Sequence, residues 1–136
     1  WGTFYEQRGV VIANRYTTSN AVHQASKLPA GERREYLDWL FDLEYRRLGL
    51  PAPDLVVYLD LPTELSEQML RRRETATGTQ ADIHEQDEEY LRSCRMNARD
   101  IAHDLGWTVI HCDREGAVRT VEDIHEEIWQ QVRRYL

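Results

Sequence analysis

Apolar residues are laid along this chain in two patterns. Two short unbroken runs, at residues 10–13 and 55–59, and a third, mostly apolar stretch at 107–112 hold valine, isoleucine, leucine and aromatics. They are too short for helices and rich in β-branched side chains, which predicts strands buried on both faces of a parallel sheet. Between the runs, apolar residues recur at three- and four-residue spacing. Residues 17–26 form one predicted helix, capped by Thr17 or Thr18 and broken by Leu28-Pro29-Ala30-Gly31. The clearest helix is 31–48, where Tyr36, Leu37, Leu40, Leu43 with Phe41, and Leu48 form the stripe. Gly49 ends it and Pro51 follows. Thr63 caps a helix running towards Arg73, after which residues 75–80 have no pattern and predict a mobile loop. A long polar helix spans 82–105 with Ile83, Tyr90, Leu91, Cys94, Ala98 and Ile101 inward, and Thr120 caps a last helix carrying Val121, Ile124, Ile128 and Val132. Residues 1–8 resemble the last turns of a helix whose beginning is absent.

Strands that alternate with helices imply right-handed crossovers and an α/β fold with helices on both faces of a parallel sheet. Three strands are few, since such sheets commonly have about 5–6. With 136 residues and 41% hydrophobic content, the chain 1–136 is sized for a single domain with one core. Lysine and arginine number 17 against 24 aspartate and glutamate, and the net charge of −7 disfavours nucleic acid as the main partner. Arginine clusters in so acidic a chain then become candidate anion sites. Cys94 and Cys112 lack zinc or disulfide-framework spacing, which predicts reduced thiols. No apolar run approaches the ~18 residues of a membrane span and no signal peptide precedes Trp1, so a soluble, cytoplasmic protein is expected.

The carboxyl ends of parallel strands are where ligands bind, and Asn14 and Arg15 follow the first apolar run there. Arginine's planar fork suits a phosphate or a carboxylate, so Arg15 either holds an anionic ligand or pairs with a neighbouring acid. Arg71, Arg72 and Arg73 close a predicted helix, where their charge also complements its negative end. Ser19 and His23 share one helix face, as do Asn20 and Gln24. An amide offers a donor and an acceptor to a pyrimidine edge, while helix capping by Ser19 and Asn20, a surface Gln24 and a packing His23 explain the same residues without a ligand. Asp60 and Asp113 stand at strand ends, as Mg²⁺ carboxylates or as turn caps.

Asn14-Arg15-Tyr16 followed by Ser19-Asn20 and His23-Gln24, the run 51–60, the arginines at 71–73, and Asp82-x-x-Glu85 ahead of Tyr90 and Arg95 together resemble bacterial thymidylate kinases over nearly the whole chain. Two departures stand out: Asn14 occupies the family's aspartate position, and no Gly-x-x-x-x-Gly-Lys-Ser/Thr loop occurs. The resemblance implies a P-loop nucleoside monophosphate kinase-like fold with a five-stranded parallel sheet, three strands of which lie in this sequence. It implies ATP-dependent, Mg²⁺-dependent phosphorylation of dTMP to dTDP. Arg15, Arg71, Arg72 and Arg73 would be the catalytic cations, the last three on a lid spanning about 71–85. Arg15, Ser19, Asn20, His23, Gln24, Glu85 and Tyr90 would bind the acceptor, and the helices at 17–26 and 31–48 would contribute to a homodimer. On this view the chain is the carboxyl-terminal part of a kinase, with the acceptor and lid sides but no donor loop, and is inactive alone. The alternative is a non-catalytic, kinase-like binding or dimerisation module.

Overall fold

Two of the three apolar runs pair as parallel strands. In the computed structural model, which describes residues 2–77 and 88–136, β1 (Val57–Asp60) lies beside β2 (Thr108–His111) in register from Val57↔Thr108 to Asp60↔His111. The ladder extends one bond beyond each end, from Thr108 N to Val56 O at 2.9 Å and from Cys112 N to Asp60 O at 2.8 Å. Parallel neighbours need a long crossover. Here it contains α4 (Thr63–Thr77) and α5 (Glu88–Asp104), and α5 packs against β1.

The run at 10–13 behaves differently from the expectation. It forms no strand, and Val10, Val11 and Ile12 are 57%, 42% and 86% exposed. A four-residue apolar run becomes a buried strand only when neighbours supply both a ladder and a cover, and among the described residues no strand lies beside it. The parallel sheet of the described residues therefore has two strands, not three. Before this segment lies α1 (Gly2–Glu6), a short helix as expected.

The core sits where three helices meet. α2 (Thr17–Ala25) buries Ala21 and Ala25, α3 (Arg33–Phe41) buries Leu40, and α5 buries Ala98, Ile101 and Ala102; Tyr36, Leu37, Phe41 and Trp107 pack around them. The alanines let α2 and α5 approach closely, and the buried Asn97 joins the pair by donating to Val22 O at 2.7 Å and Ser26 Oγ at 3.1 Å. The predicted helix 31–48 is continuous but not uniform. A 3₁₀ turn (Ala30–Glu32) opens it, and a π-helical turn (Asp42–Arg47) closes it, with Leu48 N bonded to Leu43 O at 2.9 Å. Gly49, at φ +65°, then ends the helix in the left-handed conformation expected of it.

Two further details depart from the sequence reading. Residues 75–77, expected in a loop, continue α4, and Thr75 Oγ1 donates back to Arg71 O at 2.8 Å; Arg71, Arg72 and Arg73 thus lie inside the helix, not at its end. The remainder of the expected lid, 78–85, lies outside the described residues, as does Ile83. A hairpin, β3 (Asp113–Arg114) with β4 (Ala117–Val118), follows β2, and both of its central residues, Glu115 and Gly116, have positive φ, as a tight primed turn requires. Thr120 caps α6 (Val121–Val132) by accepting from Asp123 N at 3.2 Å, as expected. Arg119 ties the start of α6 to the sheet, reaching His111 O at 2.6 Å, Glu127 at 2.6 Å and Asp123 at 2.7 Å. Among the described residues no helix is long and apolar enough to cross a membrane.

Candidate functional site

Arg15 stands at the junction between the extended segment and α2, in the left-handed region at φ +68°. For a non-glycine residue that conformation costs on the order of 1–3 kcal/mol and persists only where its surroundings hold it. The surroundings are visible next along the chain. Tyr16 OH donates to Pro51 O at 3.1 Å, and Thr17 Oγ1 meets Tyr45 OH at 2.6 Å, so the first turn of α2 is fastened to the end of the π-helical turn and to the loop after it. The Arg15 side chain is exposed, with Nε donating to Ser19 Oγ at 3.4 Å.

Across from this face of α2 lies α5. His23 Nδ1 is 3.8 Å from Cys94 Sγ, and Tyr90 stands one turn before Cys94 on the same face. Burial, its hydrogen bond to Cys94 and the neighbouring thiol push the Tyr90 phenol up, while the Arg15 charge acts in the opposite sense. Arg15, Ser19, His23 and Tyr90, four of the residues expected to meet an acceptor, thus come together where α2 faces α5. Such a group combines one exposed cation, a hydroxyl, an imidazole and an aromatic ring, which suits an anion attached to a flat heterocycle.

The other expected residues are placed elsewhere. Asn20 points around α2 towards the π-helical turn, where Nδ2 donates to Glu44 Oε1 at 3.1 Å. Gln24 is exposed near the end of α2. Arg71 and Arg72 are exposed on α4 and flank a shallow groove with Thr75 and Ala76; Arg73 is exposed beside them. Glu85 lies outside the described residues.

Asp60, at the carboxyl end of β1, is a buried ion-pair centre. Arg95 reaches both of its oxygens, at 2.7 and 3.2 Å, with Arg99 at 3.9 Å and His111 at 3.4 Å. Burial pushes its carboxyl up, but these cations more than reverse the effect and hold it below the usual range. Both oxygens being engaged by arginine, Asp60 does not fit a resident Mg²⁺, and among the described residues no cluster of three or more metal-ligating side chains occurs.

Sequence reading missed Glu44, only 7% exposed, and the buried Asn97. A signal for Glu44 was present: it falls four residues after Leu40, on the apolar stripe itself, where an unpaired acid would be costly. Asn97 had the same kind of signal, lying among Cys94, Ala98 and Ile101.

Comparison with known proteins adds a lineage to this geometry. The family model described as thymidylate kinase matches residues 4–128. Thymidylate kinases of two Mycobacterium tuberculosis strains, CDC 1551 and H37Rv, are each 37% identical over 108 residues, covering 76% of this chain and 50% of the relative. The chain thus spans about half the length of the curated relatives it matches.

Proposed function

The chain belongs to the thymidylate kinase family, and on that premise we propose that it carries the acceptor and lid sides of a dTMP kinase that uses ATP, delivered with Mg²⁺, as phosphoryl donor. The observation that carries the reading is Arg15, held in a strained backbone conformation with its charged end exposed beside Ser19 and near Tyr90. A strained residue whose side chain stays open is better explained by a ligand than by folding.

In this reading the Arg15 guanidinium holds the dTMP phosphate, so that one of its oxygens attacks the γ-phosphorus of ATP as the bond to ADP breaks. Positioning and charge do nearly all the work in such a transfer. Ser19, His23 and Tyr90 flank the nucleotide, Asn20 and Gln24 lie on the adjoining face of α2 towards its base, and Glu85 belongs to the same acceptor set. Arg71, Arg72 and Arg73 lie on the lid, about 71–85, which brings positive charge to the phosphates as it closes. No Gly-x-x-x-x-Gly-Lys-Ser/Thr segment lies within these residues, so the chain by itself is expected to be inactive. A cytoplasmic homodimer built on α2 and α3 belongs to the same proposal, as does the family's five-stranded sheet for the whole kinase domain.

The alternative is a kinase-like binding or dimerisation module without a donor site, favoured by Asn14 in place of aspartate. A coupled ADP-release assay separates the two. dTMP-dependent release by this chain mixed with a fragment carrying a phosphate loop supports the kinase; dTMP binding with no release under any combination supports the module. Within the kinase reading, Arg15→Ala is expected to lower kcat/KM by about ten- to a hundredfold, the weight of one charge-assisted contact of about 1.5–3 kcal/mol. A change of less than twofold removes Arg15 from the site.

A further inference from the structure

Glu44 is an expensive residue with no evident part in the core. Its side chain is buried, one oxygen accepts from Asn20 Nδ2 at 3.1 Å, and the other has no hydrogen-bond partner among the described residues. The backbone around it is tightly held: it lies in the π-helical turn, and its own carbonyl accepts from Leu50 N at 3.0 Å. After burial, the Glu44 charge also pushes up the Tyr16 and Tyr36 phenols, and it adds to the rise at Tyr45 against the opposing bond from Thr17. A half-satisfied buried carboxylate is not retained for stability, because an apolar residue of similar size would fill the place at less cost.

What Glu44 does achieve is to fix an amide. A carboxylate offers acceptors only, so Asn20 must turn its NH₂ towards Glu44; the opposite rotamer would set two oxygens against each other. The Asn20 carbonyl oxygen is then the end of the amide not held by Glu44, on a residue that is itself exposed. We propose that Glu44 is a positioning residue for base recognition: by holding the Asn20 amide nitrogen it leaves only an acceptor facing the base, and so selects pyrimidines whose ring N3 carries a hydrogen. Thymine and uracil offer that hydrogen. Cytosine offers a lone pair at the same atom, which would oppose the Asn20 oxygen. This rests on the dTMP-acceptor reading with Asn20 beside the base, and adds to it the residue that sets the sense of the contact.

Steady-state ADP release by the complete protein carrying this chain, with dTMP, dUMP and dCMP as acceptors, tests it. The parent is expected to favour dTMP and dUMP over dCMP. In Glu44→Gln the side-chain amide either accepts from or donates to Asn20, both Asn20 rotamers become available, and the dTMP-to-dCMP ratio of kcat/KM should fall about tenfold. The change should appear in KM more than in kcat. In an Asn20→Ala background the same Glu44→Gln change should do nothing further, since the effect acts through Asn20. A folded Glu44→Gln protein whose ratio stays within twofold of the parent overturns the inference, and so does an equal effect in the Asn20→Ala background. If Glu44→Gln does not fold, side-chain NMR of the parent decides: slowly exchanging Asn20 amide hydrogens support the bond, and rapidly exchanging ones overturn it. A parent that does not use dTMP, or prefers dCMP, removes the acceptor reading itself and is distinguishable from these results.

Discussion

Residues 10–13 and β1 carry much the same pattern, a few β-branched and apolar residues that end at a polar group, yet one is exposed and the other paired. β1 has β2 beside it and α5 packed against it; the earlier run has no strand beside it among the described residues. Pattern gives a segment the capacity to be a strand, but the ladder and the cover come from elsewhere in the chain. The ends of the two segments differ in the same sense. Asp60 is buried under Arg95, Arg99 and His111, whereas the first run delivers Arg15 outward with its backbone strained. One end is locked into the fold and the other is left open to solvent.

The largest test of that contrast is Ile110→Ala. Ile110 is 1% exposed in the strand that supports β1, and the substitution should cost about 4 kcal/mol by urea unfolding. Asp60→Ala follows, at about 3 kcal/mol, because it strands Arg95, whose partial exposure keeps the loss at the low end for a broken buried pair. The Asp60 carboxyl lies below its unfolded value of about 3.9, so the unfolded chain binds more protons there. Its contribution is present above that pH and is lost as pH falls through the folded value. Acid unfolding curves for Asp60→Asn should be flatter below pH ~4 than those of the parent. Arg15→Gly should raise stability by up to about 1 kcal/mol by relieving the positive φ while abolishing the phosphate contact proposed for Arg15, a split that calorimetric melting and nucleotide binding would detect together. Smallest of all, Ile12→Ala should move stability by no more than about 0.5 kcal/mol. If amides at 10–13 exchanged as slowly as those of β1, the contrast itself would fail.

Much of the fold was legible because local signals and tertiary needs agree. The stripe through Tyr36, Leu37 and Leu40, the end at Gly49, the cap at Thr120 and the runs at β1 and β2 all say the same thing twice. The hairpin was not legible, being four residues of strand around one glycine. Residues 75–77 were misread because threonines suggest a loop, whereas Thr75 can satisfy its hydroxyl within a helix. Arg15 was legible as a candidate from its position after an apolar run, and its exposure agrees with that reading. Glu44 and Asn97 were hidden because their meaning lies in partners 24 residues and about 75 residues away along the chain.

The π-helical turn has a consequence of another kind, for which length changes this protein tolerates. Six residues from Asp42 to Arg47 occupy a turn wound one residue wider than an α-helix, so the helix carries its own insertion. Deleting one residue there would leave a more regular helix. Because the wide turn already absorbs that extra residue, Leu48 and Gly49 beyond it would keep their direction relative to Leu40, while Glu44 and Tyr45, which lie within the turn, would be drawn away from Asn20 and Thr17. In most exposed helix ends a single deletion is among the milder changes in a gene. Here it would leave the core helix and its end in place and disturb only the turn that holds the start of α2.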